Sequence, residues 1–300
     1  MEHSELISGA ISDVKKSLFG FNNLSTWIKL FLQIIIPMIA GWVAASLFLQ
    51  FGLKPLLVKI LVNDNLGFTE AGITHILQFV AAGFAILCIF IVPLFQGFLY
   101  RLIRTDSIPR AGSGMSQFFS GWRVNVVFLF YAIPMILIYA LYGTLYYVIV
   151  GKITALSGLF AAGETLLDLV VFIIYLALMF ITFIIVSLFA VISLVHVARG
   201  ASFKKAFNIK NSARIIKQIG WYNYILCMVI CAILILILSV IFLGIGLGIA
   251  GAVIPVYVII IGIFMFLLIP VLTFCCRYVT KVYDVGTLPP EEDTEDFDNF

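Results

Sequence analysis

From Gln218 to Cys276 the chain runs without a single Asp, Glu, Lys or Arg. A helix of about 20 apolar residues matches the hydrocarbon core of a bilayer. This stretch holds two such runs, joined by a glycine-rich segment, GIGLGIAGA (244–252). Glycine adopts conformations closed to other residues, so the segment is predicted as a tight turn. Similar runs precede it, and six spans are predicted at about 27–51, 76–100, 122–150, 166–196, 221–243 and 253–278. The fourth is longer than a straight crossing needs, which predicts tilt or projection from the bilayer. Only 11% of the residues are charged, against about 25% in soluble domains. A membrane β-barrel would alternate polar and apolar residues over shorter strands, and these runs are apolar on every side. The fold class expected is an all-α membrane protein with six transmembrane helices.

The ends of the spans carry the charge. If both termini are cytoplasmic, fifteen of the eighteen basic residues fall on inner segments and helix ends, and three (Lys54, Lys59, Lys152) fall outside. That is a positive-inside distribution, and it predicts a multi-pass protein of the cell membrane with both termini in the cytoplasm. Residues 1–26 lack the basic start, apolar core and cleavage site of a signal peptide. Ile7, Ile11, Val14 and Leu18 stand at helical spacing there, which suits a short amphipathic interfacial helix, with an ordinary solvated N-terminus as the alternative. Residues 27–283 form the polytopic membrane domain, and 284–300 an acidic, disordered cytoplasmic tail. The tail holds Glu291, Glu292, Asp293, Glu295, Asp296 and Asp298. Without those six acids, nine acids face eighteen bases, and the membrane body stands near +9. A block of like charge is ordinarily solvated; the sharper alternative is a tail that folds back on basic inner loops.

The most basic inner segment is RGASFKKAFNIKNSARIIKQIGW (199–221), with six bases and no acid. Its apolar residues recur at spacings of three and four, which predicts one or two short surface helices. Lys204, Lys205, Lys210, Arg214 and Lys217, together with Arg101 and Arg104 of the preceding inner segment, are the candidate lipid-facing cations. Trp27, Trp122 and Trp221 open the odd-numbered spans, 95 and 99 residues apart. Tryptophan is enriched at membrane interfaces, so these three are candidate interfacial anchors. PLFQGFLYR (93–101) and PVLTFCCR (270–277) close even-numbered spans in similar fashion. Together these suggest three hairpin repeats, each led by an interfacial segment; convergence on common interface residues is the alternative.

Two stretches carry a family resemblance: GFLYRLIR (97–104), followed by a proline-containing link and FFSG (118–121), and AFNIKNSARIIKQIGWYNYI (206–225). In these the chain resembles a prokaryotic, largely archaeal family of multi-pass membrane proteins classed as a domain of unknown function, DUF 4013. The resemblance covers most of residues 10–285 and implies a membrane location with no established activity. The acids and tryptophan that the family carries after the link's proline are replaced here by RAGSG (110–114).

Chemistry-bearing constellations are scarce. His3, His75 and His196 fall in the tail and at helix ends, and no metal-ligand or paired-carboxylate spacing accompanies them. No catalytic, cofactor or metal residues are assigned, and no nucleotide or nucleophile motif is present. Ionisable residues deep in the helices would mark a proton or ion path; none is predicted near mid-bilayer. Glu164 and Asp168, four apart at the start of the fourth span, are a possible outer polar site or a helix cap. Gln33, Gln78, Gln96 and Asn125 can bond between helices or line a polar path. Pro37, Pro93, Pro134, Pro255 and Pro270 are candidate kinks. Cys227 and Cys231 share a face, and Cys275 and Cys276 lie near the inner end of the sixth span, where packing and reversible acylation are the two readings.

Three function classes follow. The first is a non-enzymatic protein whose basic cytoplasmic face binds anionic lipid or a membrane-protein partner, itself or another. The second is a permease for an apolar or weakly polar solute. The third is an intramembrane enzyme, the least supported. No cofactor and no nucleic acid partner are expected.

Overall fold

A computed structural model of the protein describes residues 2–19, 24–62, 69–105, 114–157, 164–248 and 254–287. The described residues contain helices and no strand. In chain order the α-helices are α1 (His3–Leu18), α2 (Leu24–Leu47), α3 (Lys54–Leu57), α4 (Glu70–Ile91), α5 (Leu94–Arg104), α6 (Gly114–Ser157), α7 (Glu164–Ala198), α8 (Ile209–Ile219), α9 (Trp221–Gly248) and α10 (Ile254–Thr287). A 3-10 helix, Phe203–Phe207, precedes α8. Six helical stretches are long and apolar enough to cross a membrane: Leu24–Ile60, Glu70–Arg104, Gly114–Ile149, Leu169–Ala198, Trp221–Ile245 and Ile260–Thr287. The chain is therefore an all-α, multi-pass membrane protein, as its apolar runs require.

Several boundaries differ from expectation. The loop expected over 52–75 is largely helical: α2 continues through π-helical turns at Phe48–Leu53 and Val58–Val62, with α3 between them. Pro55 has no N–H, and its ring would crowd a regular turn; the wider π turn, in which the Lys54 N–H reaches the Leu49 carbonyl, carries the helix past it. The glycine-rich run 244–252 is helical as far as Gly248, and 249–253 lie outside the described residues. Asp284–Thr287, expected as the start of the tail, belong to α10. The link 106–113 and the acids from Glu291 onward also lie outside the described residues.

The chain divides into two compact units, 1–125 with 229–281, and 126–228 with the chain from 282 onward. In the first, α1 buries Ala10, Val14 and Leu18, an i, i+4, i+8 stripe, and leaves Ile11 exposed. It is tied to α10 by His3, whose Nδ1 lies 2.7 Å from the Tyr278 hydroxyl. Lys281 adds an ion pair with Asp13 at 3.2 Å. α2 and α4 pack through Ala45, Leu49, Ile73, Leu77 and Ala81. In the second unit, α6, α7, the 3-10 helix and α8 enclose Val127, Tyr131, Ile192, Ala206 and Ile216, each 4% exposed or less.

Pro37, Pro134 and Pro270 lie inside helices that continue past them, and among the described residues only at Pro93 does a helix stop. There α4 ends and α5 begins after a turn in which the Leu94 N–H bonds the Val92 carbonyl at 2.8 Å. α5 then crosses the start of α6 at very short range. A Cβ on Gly97 would fall 1.8 Å from the Gln117 carbonyl oxygen, and one on Gly121 1.9 Å from that of Pro93. Both places admit only glycine. These residues begin GFLYRLIR and end FFSG, so those motifs record a backbone crossing.

Candidate functional site: a repaired helix break and a basic amphipathic segment

In the first unit four amide side chains, Gln33, Gln96, Gln117 and Asn125, gather at the Pro93 break. Pro93 cannot donate to the Ile89 carbonyl, and the Leu94 N–H has gone to Val92, so two carbonyls lose their helical partners. Gln96 Nε2 donates to the Ile89 oxygen at 3.1 Å, and Asn125 Nδ2 to that of Phe90 at 2.5 Å. Gln117, 1% exposed, donates from Nε2 to the Leu94 oxygen at 2.8 Å and to Gln33 Oε1 at 2.9 Å. An unsatisfied backbone group in hydrocarbon costs several kcal/mol, which is reason enough for Gln96 and Asn125 in so apolar a chain. Gln33 and Asn125, candidates for a polar path, are engaged here, and Gln78 is exposed. An open groove of about 370 Å³ between α2 and α4 is lined by Ala44, Ala45, Phe48, Leu49, Val80 and Phe84, a lining that suits hydrocarbon.

In the second unit the basic segment is built from two short helices. Asn208 caps α8, its Oδ1 accepting from the Asn211 N–H at 3.2 Å. From there the sequence places Ser212, Ile215, Ile216 and Ile219 on one face, all buried, and Lys210, Arg214 and Lys217 on the other, all exposed. The 3-10 helix does the same on a smaller scale: Ala206 is inside, Lys204 and Lys205 outside. A chain of hydroxyls holds the inner face in place. Ser212 Oγ lies 2.6 Å from Ser193 Oγ, and Ser193 Oγ lies 2.7 Å from the Tyr131 hydroxyl. That hydroxyl also donates to the Ala206 carbonyl oxygen at 3.0 Å. α8 ends at Gly220, whose φ of 92° is open to glycine at little cost. Tyr224, fully buried, then donates to the Leu188 carbonyl oxygen at 2.6 Å.

The segment is also clasped by the end of α10. His196 Nδ1 is 2.8 Å from the Tyr283 hydroxyl. Arg199 donates from Nε to Asp284 Oδ1 at 2.9 Å, with a second contact between its Nη2 and Oδ2. Sequence reasoning named neither Tyr283 nor Asp284, which sit 85 or more residues from these partners.

The remaining candidates are dispersed. Arg101, half-buried, meets Ser116 Oγ, and Arg104 is exposed. Trp122 and Trp221 are 40% and 44% exposed, as a ring at an interface would be, but Trp27 is 8% exposed. Instead of facing outward, Trp27 stacks on Phe266 at 4.5 Å and donates from Nε1 to the Phe266 carbonyl oxygen at 3.0 Å. Glu164 and Asp168 stand in the first turns of α7; their side chains lie outside what the structure describes. Of the paired cysteines, Cys227, Cys231 and Cys275 are buried and Cys276 is half-buried; Cys275 Sγ lies 4.0 Å from the Cys231 carbonyl oxygen.

A family model described as "Protein of unknown function (DUF4013)" matches residues 80–247. That range contains the Pro93 break, the α5–α6 crossing and the whole basic segment. No curated protein and no solved structure matches the chain.

Proposed function

The chain belongs to the DUF4013 family of proteins of unknown function, and from that premise we propose that it is a non-enzymatic protein of the cell membrane whose basic face binds anionic lipid headgroups. The observation that carries the reading is the division of the two short helices into an anchored apolar side and an exposed cationic side. Lys204, Lys205, Lys210, Arg214 and Lys217 all face outward, beside the ends of spanning helices. Each Lys or Arg near an anionic leaflet contributes about 1 kcal/mol, so five contribute on the order of 5 kcal/mol before screening. Placing these cations in the cytoplasm, with both termini, follows the positive-inside distribution. A membrane-protein partner with an acidic juxtamembrane surface would use the same cations.

The three tryptophan-led pairs of spans are read as copies of one unit. The first, third and fifth spans are each preceded by a short helix with bases in its last turn: Lys15 and Lys16 in α1, Arg101 and Arg104 in α5, Lys217 in α8. The test is purification in native lipid discs with the headgroups quantified. Wild type is expected to enrich anionic over zwitterionic lipid relative to the bulk membrane, and a K204Q/K205Q/K210Q variant to lose most of that enrichment. Equal headgroup ratios in the two would overturn the proposal.

A further inference from the structure

We propose that the cationic face of the 3-10 helix and α8 is also the docking surface for this chain's own acidic C-terminal segment, residues 288–300. The inference rests on the reading of that face as a polyanion-binding surface and names a second occupant for it. Three observations point to this occupant.

The first is position. The last turns of α10 are held within the basic segment: Asp284 pairs with Arg199, the segment's first residue. At the segment's other end, a Cβ on Gly286 would lie 2.7 Å from the Ile219 Cα. The acidic segment therefore leaves the helix beside the basic segment, on the side of the buried Ile219, and has only to pass round α8 to reach its outward face. The second is reach. An extended chain advances about 3.3 Å per residue, so Glu291 can stand about 13 Å from Thr287 and Asp298 about 36 Å. An eleven-residue helix such as α8 is about 16 Å long, well within that range. The third is charge. Residues 199–221 contain no acid, and Asp284 supplies one partner, to Arg199. The five outward cations meet six acids in 291–298, the densest run of opposite charge in the chain. Docking would leave the segment and anionic headgroups competing for one surface.

Zero-length carbodiimide cross-linking of the full chain tests this, since it joins a carboxylate to an amine only at ion-pair distance. The protein is placed one copy per disc in zwitterionic lipid at low salt, and cross-linked peptides are identified by mass spectrometry. The Lys281–Asp13 pair, 3.2 Å apart, serves as the internal positive control. Cross-links from the 291–298 acids to Lys204, Lys205, Lys210 or Lys217 are expected. They should fall several-fold in 1 M salt, where the Debye length is about 3 Å, and likewise in discs of anionic lipid. A Lys281–Asp13 cross-link without any from the tail to these four lysines overturns the proposal, as does a tail that joins only lysines elsewhere. Lipid binding is read separately, from headgroup enrichment in a variant with all six acids changed to Asn or Gln. No enrichment in that variant, with tail cross-links present in wild type, removes the lipid reading and leaves the docking in place.

Discussion

Asn125 and Gly121 show how single residues decide whether the break at Pro93 can exist. Asn125 supplies the donor that the Phe90 carbonyl lost, at 2.5 Å. Hydrogen bonds between membrane helices contribute about 0.6–2 kcal/mol, and a buried acceptor left unpaired costs about 1–3 kcal/mol. Asn125→Val is therefore expected to lower stability by about 1–2 kcal/mol, seen as a lower midpoint of thermal unfolding in detergent. Gln78→Val, at an exposed site, should leave that midpoint in place. Gly121→Ala is predicted to be worse. Its Cβ would sit 1.9 Å from the Pro93 oxygen, so the α5 and α6 backbones must part, at a cost of about 3 kcal/mol or more. Gly83, with nothing within 4 Å of a Cβ, is the matched control: Gly83→Ala should give a normal yield of monodisperse protein where Gly121→Ala does not.

Among the elements, α8 shows the closest fit between pattern and environment. Its four buried and three basic positions are those that a helix period separates, and the family motif at 206–225 encodes its cap, its buried serine and its closing glycine. What the period alone does not provide is an attachment. That comes from the hydroxyl chain Tyr131–Ser193–Ser212, which joins three helices separated in sequence. Tyr131→Phe removes the hydroxyl that serves both Ser193 and the Ala206 carbonyl. Amide hydrogen exchange across 203–219 is expected to speed up about tenfold, equivalent to about 1.4 kcal/mol of local stability, with exchange in α2 unchanged. Equal exchange in both proteins would mean that apolar packing alone holds the segment.

For the whole molecule, the proposed orientation, with six crossings, puts the two ends of the chain on one side of the bilayer. Cysteines introduced at Ser4 and Thr287 should react with a membrane-impermeant thiol reagent from the same side. In the proposed orientation, intact cells protect both and permeabilised cells expose both. Labelling of one site alone in intact cells would contradict the even number of crossings. Exchanging Lys204, Lys205 and Lys210 for Glu, which reverses the charge of the strongest inner segment, is expected to weaken that orientation and give a mixed labelling pattern.

The sequence by itself determined the membrane class, the number of spans, the distribution of charge and the amphipathic face of α8. Hydrophobicity and charge act residue by residue, and summed over a window of helical length they leave a helix little choice. Tertiary structure decided what becomes of each local irregularity. Pro37, Pro93 and Pro134 are equivalent as residues, yet only at Pro93 does a helix stop. There Gln96 and Asn125 answer the two freed carbonyls, and Gly97 and Gly121 let two backbones cross. Trp27 and Trp221 open their spans in the same way, yet Trp27 finds Phe266 to stack on and turns inward, while Trp221 stays 44% exposed. The basic segment lies against Asp284 and Gly286 because the end of α10 packs there. Hydrogen bonds, ring contacts and backbone crossings need a second partner at a fixed distance, and apart from the Gln96–Ile89 bond the partners named here stand tens to hundreds of residues away.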